Sequence, residues 1–268
     1  MNLVYPRALA VCALALVAAP ANAQFRPRPV ASTSPAESYH VELGAGFWST
    51  DADMQITGGG GGSSIDLKKD LGLQDKKFGE FQLVIKPALK HKIRVQLVPI
   101  NYTQTGTPQS AIVYNGTPYP AGTSVSSTLD WKAWRFGYEY DFVSNYRGFM
   151  GMIVDVKYTD VSATLSAAGR NGASSTQAPI PALGGIARIY LASNLSLTGE
   201  LTGFKFPGGW IKSTSGHYAD MDVYAMLNFV DSLGVRAGYR KFDVEYTKTD
   251  DTGAFKLSGP YLGVSLRF

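Results

Sequence analysis

Cysteine is almost missing from this chain of 268 residues: it has one, Cys12. That position falls inside a leader. Met1 to Ala23 has a short start carrying Arg7, an apolar run from Ala8 to Ala19, Pro20, and then Ala21-Asn22-Ala23 as a small-x-small site before Gln24. This is the pattern of a secretory signal peptide, and the run is too short and wrongly flanked for a retained membrane helix. A lipoprotein cleavage at Cys12 would leave almost no apolar segment ahead of it. With the leader removed the mature chain has no cysteine, which excludes disulfides, thiolate catalysis and cysteine-based metal sites.

Long apolar runs are also missing. Mean hydropathy is −0.05, and no mature segment approaches the ~20 residues of a spanning helix. Charge of one sign is not concentrated either: the net charge is +4, or +3 once Arg7 is lost, without the basic stripe of a nucleic-acid binder. Histidine is scarce, with three residues, and no metal-ligand spacing is visible along the chain. The run Gly58 to Gly62 lacks the Gly-Lys-Ser/Thr ending of a phosphate loop and does not lie between strand and helix, so it reads as a loop spacer. No cofactor, metal or nucleic-acid partner is expected.

What the chain has is alternation. In the last stretch, Leu262, Val264, Leu266 and Phe268 fall on one face and Gly263, Ser265 and Arg267 on the other. A strand has a side-chain period of two, so one face is apolar and the other polar or small. The pattern recurs. Tyr39 to Trp48 gives a first strand, Glu80 to Lys86 a second and Lys92 to Leu97 a third. Trp134, Phe136, Tyr138, Tyr140 and Phe142 then alternate with Ala133, Arg135, Gly137, Glu139 and Asp141. Met150 to Lys157, Leu183 to Leu191, Leu195 to Thr202, Asp220 to Phe229 and Leu233 to Arg240 complete the series before the closing strand. About ten strands result, with eight or twelve as alternatives.

Long connections are read at 50–77, 104–122, 167–179, 207–216 and 248–253, and short turns at 87–91, 144–147, 193–194 and 231–232. Residues 24–37, with Pro27, Pro29 and Pro35 and with Pro20 just upstream, read as a disordered periplasmic lead-in. Residues 38–268 form one domain.

The charges decide which face looks inward. A soluble β-sandwich also alternates, but it does not account for ionic residues on one face of almost every strand. An apolar face turned to lipid and a polar face lining a closed lumen does. Glycine at 29 residues, with 15 Tyr and 13 Phe, suits tight strand packing and aromatic girdles at the membrane surfaces. The signal peptide, the alternating loop lengths, the aromatic strand Trp134 to Phe142 and the terminal Leu266-Arg267-Phe268 together resemble the small outer-membrane β-barrel proteins of Gram-negative bacteria, of the OmpA-like and OmpW-like kind. The resemblance implies an all-β antiparallel transmembrane barrel in the outer membrane, with long extracellular loops and short periplasmic turns. It also implies contact with outer-membrane lipid and lipopolysaccharide, and delivery by the barrel-assembly machinery, which reads the final strand ending at Phe268. A monomer is expected. The resemblance is architectural and transfers no functional residue.

The expected lumen face carries Glu42, Glu80, Glu139, Asp155, Glu200 and Asp222 together with Arg94, Arg135, Lys157, Arg188, Arg236 and Arg240. A barrel of about ten strands is only slightly wider than the eight-stranded case, whose interior side chains fill, and aqueous channels are typical of 16–18 strands. The near balance of acids and bases favours a plug of ion pairs and a structural or surface-interaction role. The first alternative is a narrow passive channel for small solutes. The second is a surface enzyme near His217, which lies with Ser213 and Ser215 beside Asp220 and Asp222; outer-membrane proteases and lipid A-modifying enzymes place such groups at the outer rim. No sequence context here identifies an acyl-transfer or proteolytic site, so no catalytic residue is expected.

Overall fold

A computed structural model describes residues 37–57, 62–211, 214–248 and 251–268. The leader Met1 to Ala23, the lead-in residues 24–36 and most of the glycine run at 58–61 lie outside them. The elements are β1 (Val41–Thr57), β2 (Ser64–Asp66), β3 (Lys76–Ala88), β4 (His91–Gly106), β5 (Ile112–Tyr114), β6 (Thr117–Tyr119), β7 (Val125–Asn145), β8 (Gly148–Ala167), β9 (Arg170–Ala192), β10 (Leu195–Ile211), β11 (Thr214–Val230), β12 (Leu233–Lys248) and β13 (Asp251–Arg267).

Ten of these, β1, β3, β4 and β7 to β13, form one antiparallel sheet in chain order. β13 pairs with β1, so the sheet closes on itself. The closing seam runs from Glu42 opposite Arg267 to Thr57 opposite Thr252. Closure removes the sheet edges, whose unpaired backbone groups would otherwise have no partner in lipid. β2 extends the far end of β1, and β5 and β6 form a separate hairpin. Short turns after β3, β7, β9 and β11 lie at the end that carries both Val41 and Phe268, the terminal end. The remaining connections lie at the opposite, distal end.

The strands are longer than the sequence pattern suggests. The ten wall strands run from 13 residues in β3 to 23 in β9, whereas ~9–11 tilted residues cross a bilayer. Three expected loops are in fact strand. Residues 167–179 turn at Ala168 and Gly169, and β9 starts at Arg170. β10 and β11 run to Ile211 and from Thr214, and β12 and β13 to Lys248 and from Asp251. The small polar residues of these stretches (Ser, Thr, Gly, Ala) look like loop composition. In β9, Ala173, Ser174 and Ser175 are exposed on a wall that continues beyond the apolar belt.

That continuation reverses the polarity of β4, β7 and β13 without breaking their alternation. In β13, Leu262, Val264 and Leu266 face outward, while Gly263, Ser265 and Arg267 face inward. Further along, Phe255 and Leu257 face inward while Lys256 and Ser258 face outward. In β4, Lys92 and Arg94 give way to inward Val98, Ile100 and Tyr102. β7 changes from inward Arg135, Glu139 and Asp141 to inward Leu129 and Trp131, with Asp130 and Lys132 outside. The half nearest the termini is thus ionic within, around a small apolar cluster of Phe149, Ile153 and Ile186, and apolar without, as a membrane requires. The distal half is built like a water-soluble barrel.

The distal core is completed by the connections. Ile65, Leu67, Leu71 and Leu73 from the β1–β3 connection, and Ile112, Tyr114 and Tyr119 from the β5–β6 hairpin, are buried in one cluster with Val125, Leu129, Trp131, Phe242, Phe255 and Leu257. Each such aliphatic side chain contributes about 1.5–3 kcal/mol on burial. The hairpin turns at Asn115 and Gly116, with φ of 46° and 74°, the left-handed pair that a two-residue hairpin turn demands. It is tied down by Tyr119 Oη donating to Leu165 O at 2.7 Å and by Arg170 Nη1 donating to Pro118 O at 2.7 Å.

Candidate functional site in the barrel lumen

Alternation along the ten wall strands delivers charged side chains to the inside of the terminal half. All twelve residues expected there face inward. Eleven are buried, and Asp222 is half-buried, its carboxylate accepting from Tyr261 Oη at 2.9 Å. The decisive contrast is between Leu262, Val264 and Leu266, which are 60%, 48% and 43% exposed, and Arg135 and Arg236, at 7% and 3%.

The groups form a chain in which sign alternates at every step. Glu37 lies 3.8 Å from Lys92, which pairs with Glu139 at 2.7 Å; Glu139 pairs with Arg94 at 3.1 Å, and Arg94 with Glu200 at 2.7 Å. Glu200 contacts Arg135, which reaches Asp155 at 2.7 Å; Asp155 lies 3.5 Å from Lys157. Lys157 pairs with Asp220 at 3.0 Å, Asp220 with Arg240 at 2.7 Å, Arg240 with Glu80 at 3.3 Å, and Glu80 with Arg236 at 2.6 Å. Glu42 and Arg267 form a separate pair at 2.6 Å across the closing seam. Each charge taken out of water loses several kcal/mol of hydration, and the opposite neighbours on either side offset that loss. The guanidinium forks suit the bore because each can bridge two carboxylates from different strands, as Arg94 does with Glu139 and Glu200.

Six members of the interior were not singled out from sequence: Glu37, Lys86, Lys92, Asp141, Asp220 and Arg267. Five of them sit on the inward parity of their strands, so parity alone could have found them. Glu37 precedes β1 and has no parity to read. Assigned to the lead-in, it is instead buried inside the barrel mouth. With it the interior is balanced. Lys86, Lys92, Arg94, Arg135, Lys157, Arg188, Arg236, Arg240 and Arg267 are cationic. Glu42, Glu80, Glu139, Asp141, Asp155, Glu200, Asp220 and Asp222 are the wall's acids, one fewer, and Glu37 makes up the difference.

The histidines stand apart from this lumen. His91, at the terminal end, lies with Nδ1 2.5 Å from Tyr138 Oη. His217 is on the outward side of β11, opposite Glu245 of β12. Its Nε2 is 3.6 Å from Asp243 and its Nδ1 is 3.7 Å from Glu245, and it points away from Asp220 and Asp222. Among the described residues, His217, Asp243 and Glu245 bring donor atoms within 4.8 Å of one another, close enough to hold a metal ion. The trio is assembled across two strands, so no spacing along the chain reveals it. Its members are partly exposed, and Glu245 also pairs with Lys256 at 3.3 Å.

No family model matches the chain, and no curated protein matches it. Among solved structures, the outer membrane protease OmpT from Escherichia coli aligns with a TM-score of 0.62 at 8% identity, covering 85% of this chain and 97% of that one. The transport unit of the autotransporter AIDA-I from Escherichia coli aligns at 0.43 and 8% identity over 85% and 90% of the two chains. The attachment invasion locus protein Ail of Yersinia pestis aligns at 0.36 and 9% identity over 86% and 99%. The fold is that of an outer-membrane β-barrel. At 8% identity the first likeness concerns the path of the backbone and transfers no residue of the protease's activity. In this outer-membrane barrel the outward belt of Phe47, Phe81, Phe136, Leu201 and Leu262 faces lipid.

Proposed function

We propose that this outer-membrane barrel is a sealed scaffold, with a structural or surface-interaction role rather than a conducting one. The observation that carries the reading is that the bore is filled twice by different chemistry: alternating ion pairs across the membrane and a dry apolar core above it. A solute would have to break paired buried charges and then pass among Trp131, Phe242, Phe255 and Leu257, packed as one cluster. The surface available to a partner is the outer wall of the extracellular half, where charged residues such as Asp130, Lys132 and Lys241 are exposed. Lipopolysaccharide contact with this collar, and delivery of the chain through its final strand ending at Phe268, belong to the same proposal.

Planar-bilayer recording of the purified, refolded protein tests it. The expected result is a quiet bilayer. Stable conductance steps, reproducible across preparations, would overturn the sealed reading in favour of a narrow channel.

A further inference from the structure

The periplasmic mouth holds a site that the wall does not fill by itself. Lys86 on β3, Lys92 on β4, and Arg188 and Tyr190 on β9 converge there on the carboxylate of Glu37. One oxygen accepts from Arg188 Nη1 at 2.7 Å and Tyr190 Oη at 2.5 Å, and the other lies 3.2 Å from Lys86 Nζ and 3.8 Å from Lys92 Nζ. Lys86 also donates to the Glu37 carbonyl at 2.6 Å. Every donor stands on a rigid strand, while the acceptor stands ahead of β1, outside the ladder.

Lys92 has Glu139 and Asp141 as further partners. For Lys86 and Arg188, Glu37 is the carboxylate within ion-pair distance among the described residues. Without it two buried cations lose their counter-charge, and the interior carries one uncompensated positive charge. Tyr39 lies over Lys86 and Arg267, at 5.3 and 4.8 Å from its ring centre. At His40 the N–H donates to Phe268 O and the carbonyl accepts from Lys86 N–H, both at 2.7 Å.

We propose that Lys86, Lys92, Arg188 and Tyr190 form a carboxylate-binding site and that Glu37 is its tethered ligand, so that the residues just ahead of β1 are a stopper that can leave without opening the sheet. This rests on the sealed-lumen reading for the bore behind the stopper. The site itself is chemically independent of that reading: three cationic heads and a phenol around one small planar anion.

The test uses the mature chain refolded into lipid vesicles, with heat conversion of the folded band on gels as the readout. Glu37→Ala removes the ligand and leaves room for a free one. The expected result is a lower conversion temperature for this variant, restored by sodium acetate and not by sodium chloride at the same concentration, with the parent protein indifferent to the choice of salt. Conversion at the parent temperature, or equal restoration by chloride, overturns the proposal. A second measurement covers failure of Glu37→Ala to fold. Tyr39→Cys, at a buried position of the segment, gives the mature chain a sole thiol, which reacts slowly with a membrane-impermeant maleimide while Glu37 is seated. In combination with Glu37→Gln, which keeps the shape and loses the charge, it reacts about tenfold faster or more, the scale of a lost hydrogen bond to a charged group. Equal rates overturn the stopper. Conductance of the parent protein would remove the sealed-lumen reading and leave the acetate comparison intact.

Discussion

Replacing Glu80 by alanine measures whether the interior is a dry plug or a wet passage. Glu80 holds two guanidinium groups, Arg236 at 2.6 Å and Arg240 at 3.3 Å. Arg240 keeps Asp220 at 2.7 Å, so it loses one of two partners. Arg236 loses the only carboxylate within ion-pair distance among the described residues and retains the Gln82 amide oxygen as acceptor. Breaking a buried pair by removing one partner costs about 3–5 kcal/mol, because the other charge stays buried without compensation. An exposed, solvated pair is worth only about 0–1 kcal/mol. The two outcomes do not overlap. With a urea slope of about 2–3 kcal/mol per molar, the dry interior predicts a midpoint lower by roughly 1–2 M and the wet one a shift of less than about 0.5 M. Urea unfolding of the protein refolded in vesicles, followed by tryptophan fluorescence, reads the difference; Trp48 lies 5.4 Å from the Arg240 guanidinium and so reports on this place. Adding Arg236→Met to Glu80→Ala should recover much of the loss, since the stranded charge goes too. A cost under about 1 kcal/mol for the single variant, or no recovery in the double, would refute the buried-network argument.

Other outcomes follow from the same geometry. Val264→Arg, on the lipid face in the middle of the belt, should cost about 2–4 kcal/mol, whereas Ser258→Arg on the same strand above the belt should cost little; yields of the folded gel band compare them. Tyr119→Phe removes the bond to Leu165 O at 2.7 Å and should destabilise the β5–β6 hairpin by about 1 kcal/mol, read as faster hydrogen exchange at Ile112 to Tyr119 with no change in the wall. The strap over the β1–β3 connection should loosen in acid: Lys68 pairs with Asp51 at 2.5 Å and Asp75 at 2.8 Å. The hydrogen bond from Lys68 holds the Asp75 carboxyl below its ordinary range, and the same bonds hold Lys68 above its own. A lowered carboxylate contributes stability at pH values above its unfolded titration and loses it as pH falls through the folded one. The raised lysine gives its share throughout that range and loses it only in strong alkali. Protection of the Leu67 to Leu73 amides, corrected for the intrinsic exchange rate at each pH, should therefore be higher at about pH 6 than at about pH 3, by a modest factor because these groups are exposed.

Much of this architecture could be read from residue order. The near-termini half announces itself, because lipid outside and ion pairs inside give opposite chemistry to successive positions, and Leu262 to Phe268 or Trp134 to Asp141 display that contrast in eight residues or fewer. The inward charges were legible for the same reason. The distal half was not. There the outside is water and the inside is apolar, so Asp130 and Lys132 beside Leu129 and Trp131 look like an ordinary amphipathic strand with the opposite facing. The stretches 167–179 and 207–216 combine small residues with proline and glycine and pass for loop. Asn115-Gly116 carried a hairpin signal inside a stretch assigned wholly to loop. Two features lie beyond any periodic reading. Glu37 enters the mouth through a contact across 151 positions with Arg188. His217 meets Asp243 only because β11 and β12 are side by side in a particular register.

The reversal of polarity part-way up β4, β7 and β13 acts as a waterline. A barrel greasy over its whole height could ride up or down in the bilayer at little cost. Here a shift of one strand pair outward would bare Leu201 and Leu262 to water, and a shift inward would drown Lys132, Lys241 and Lys256 in hydrocarbon. The molecule therefore floats at one draught, and whatever meets its outer wall is presented at a fixed height above the lipid surface.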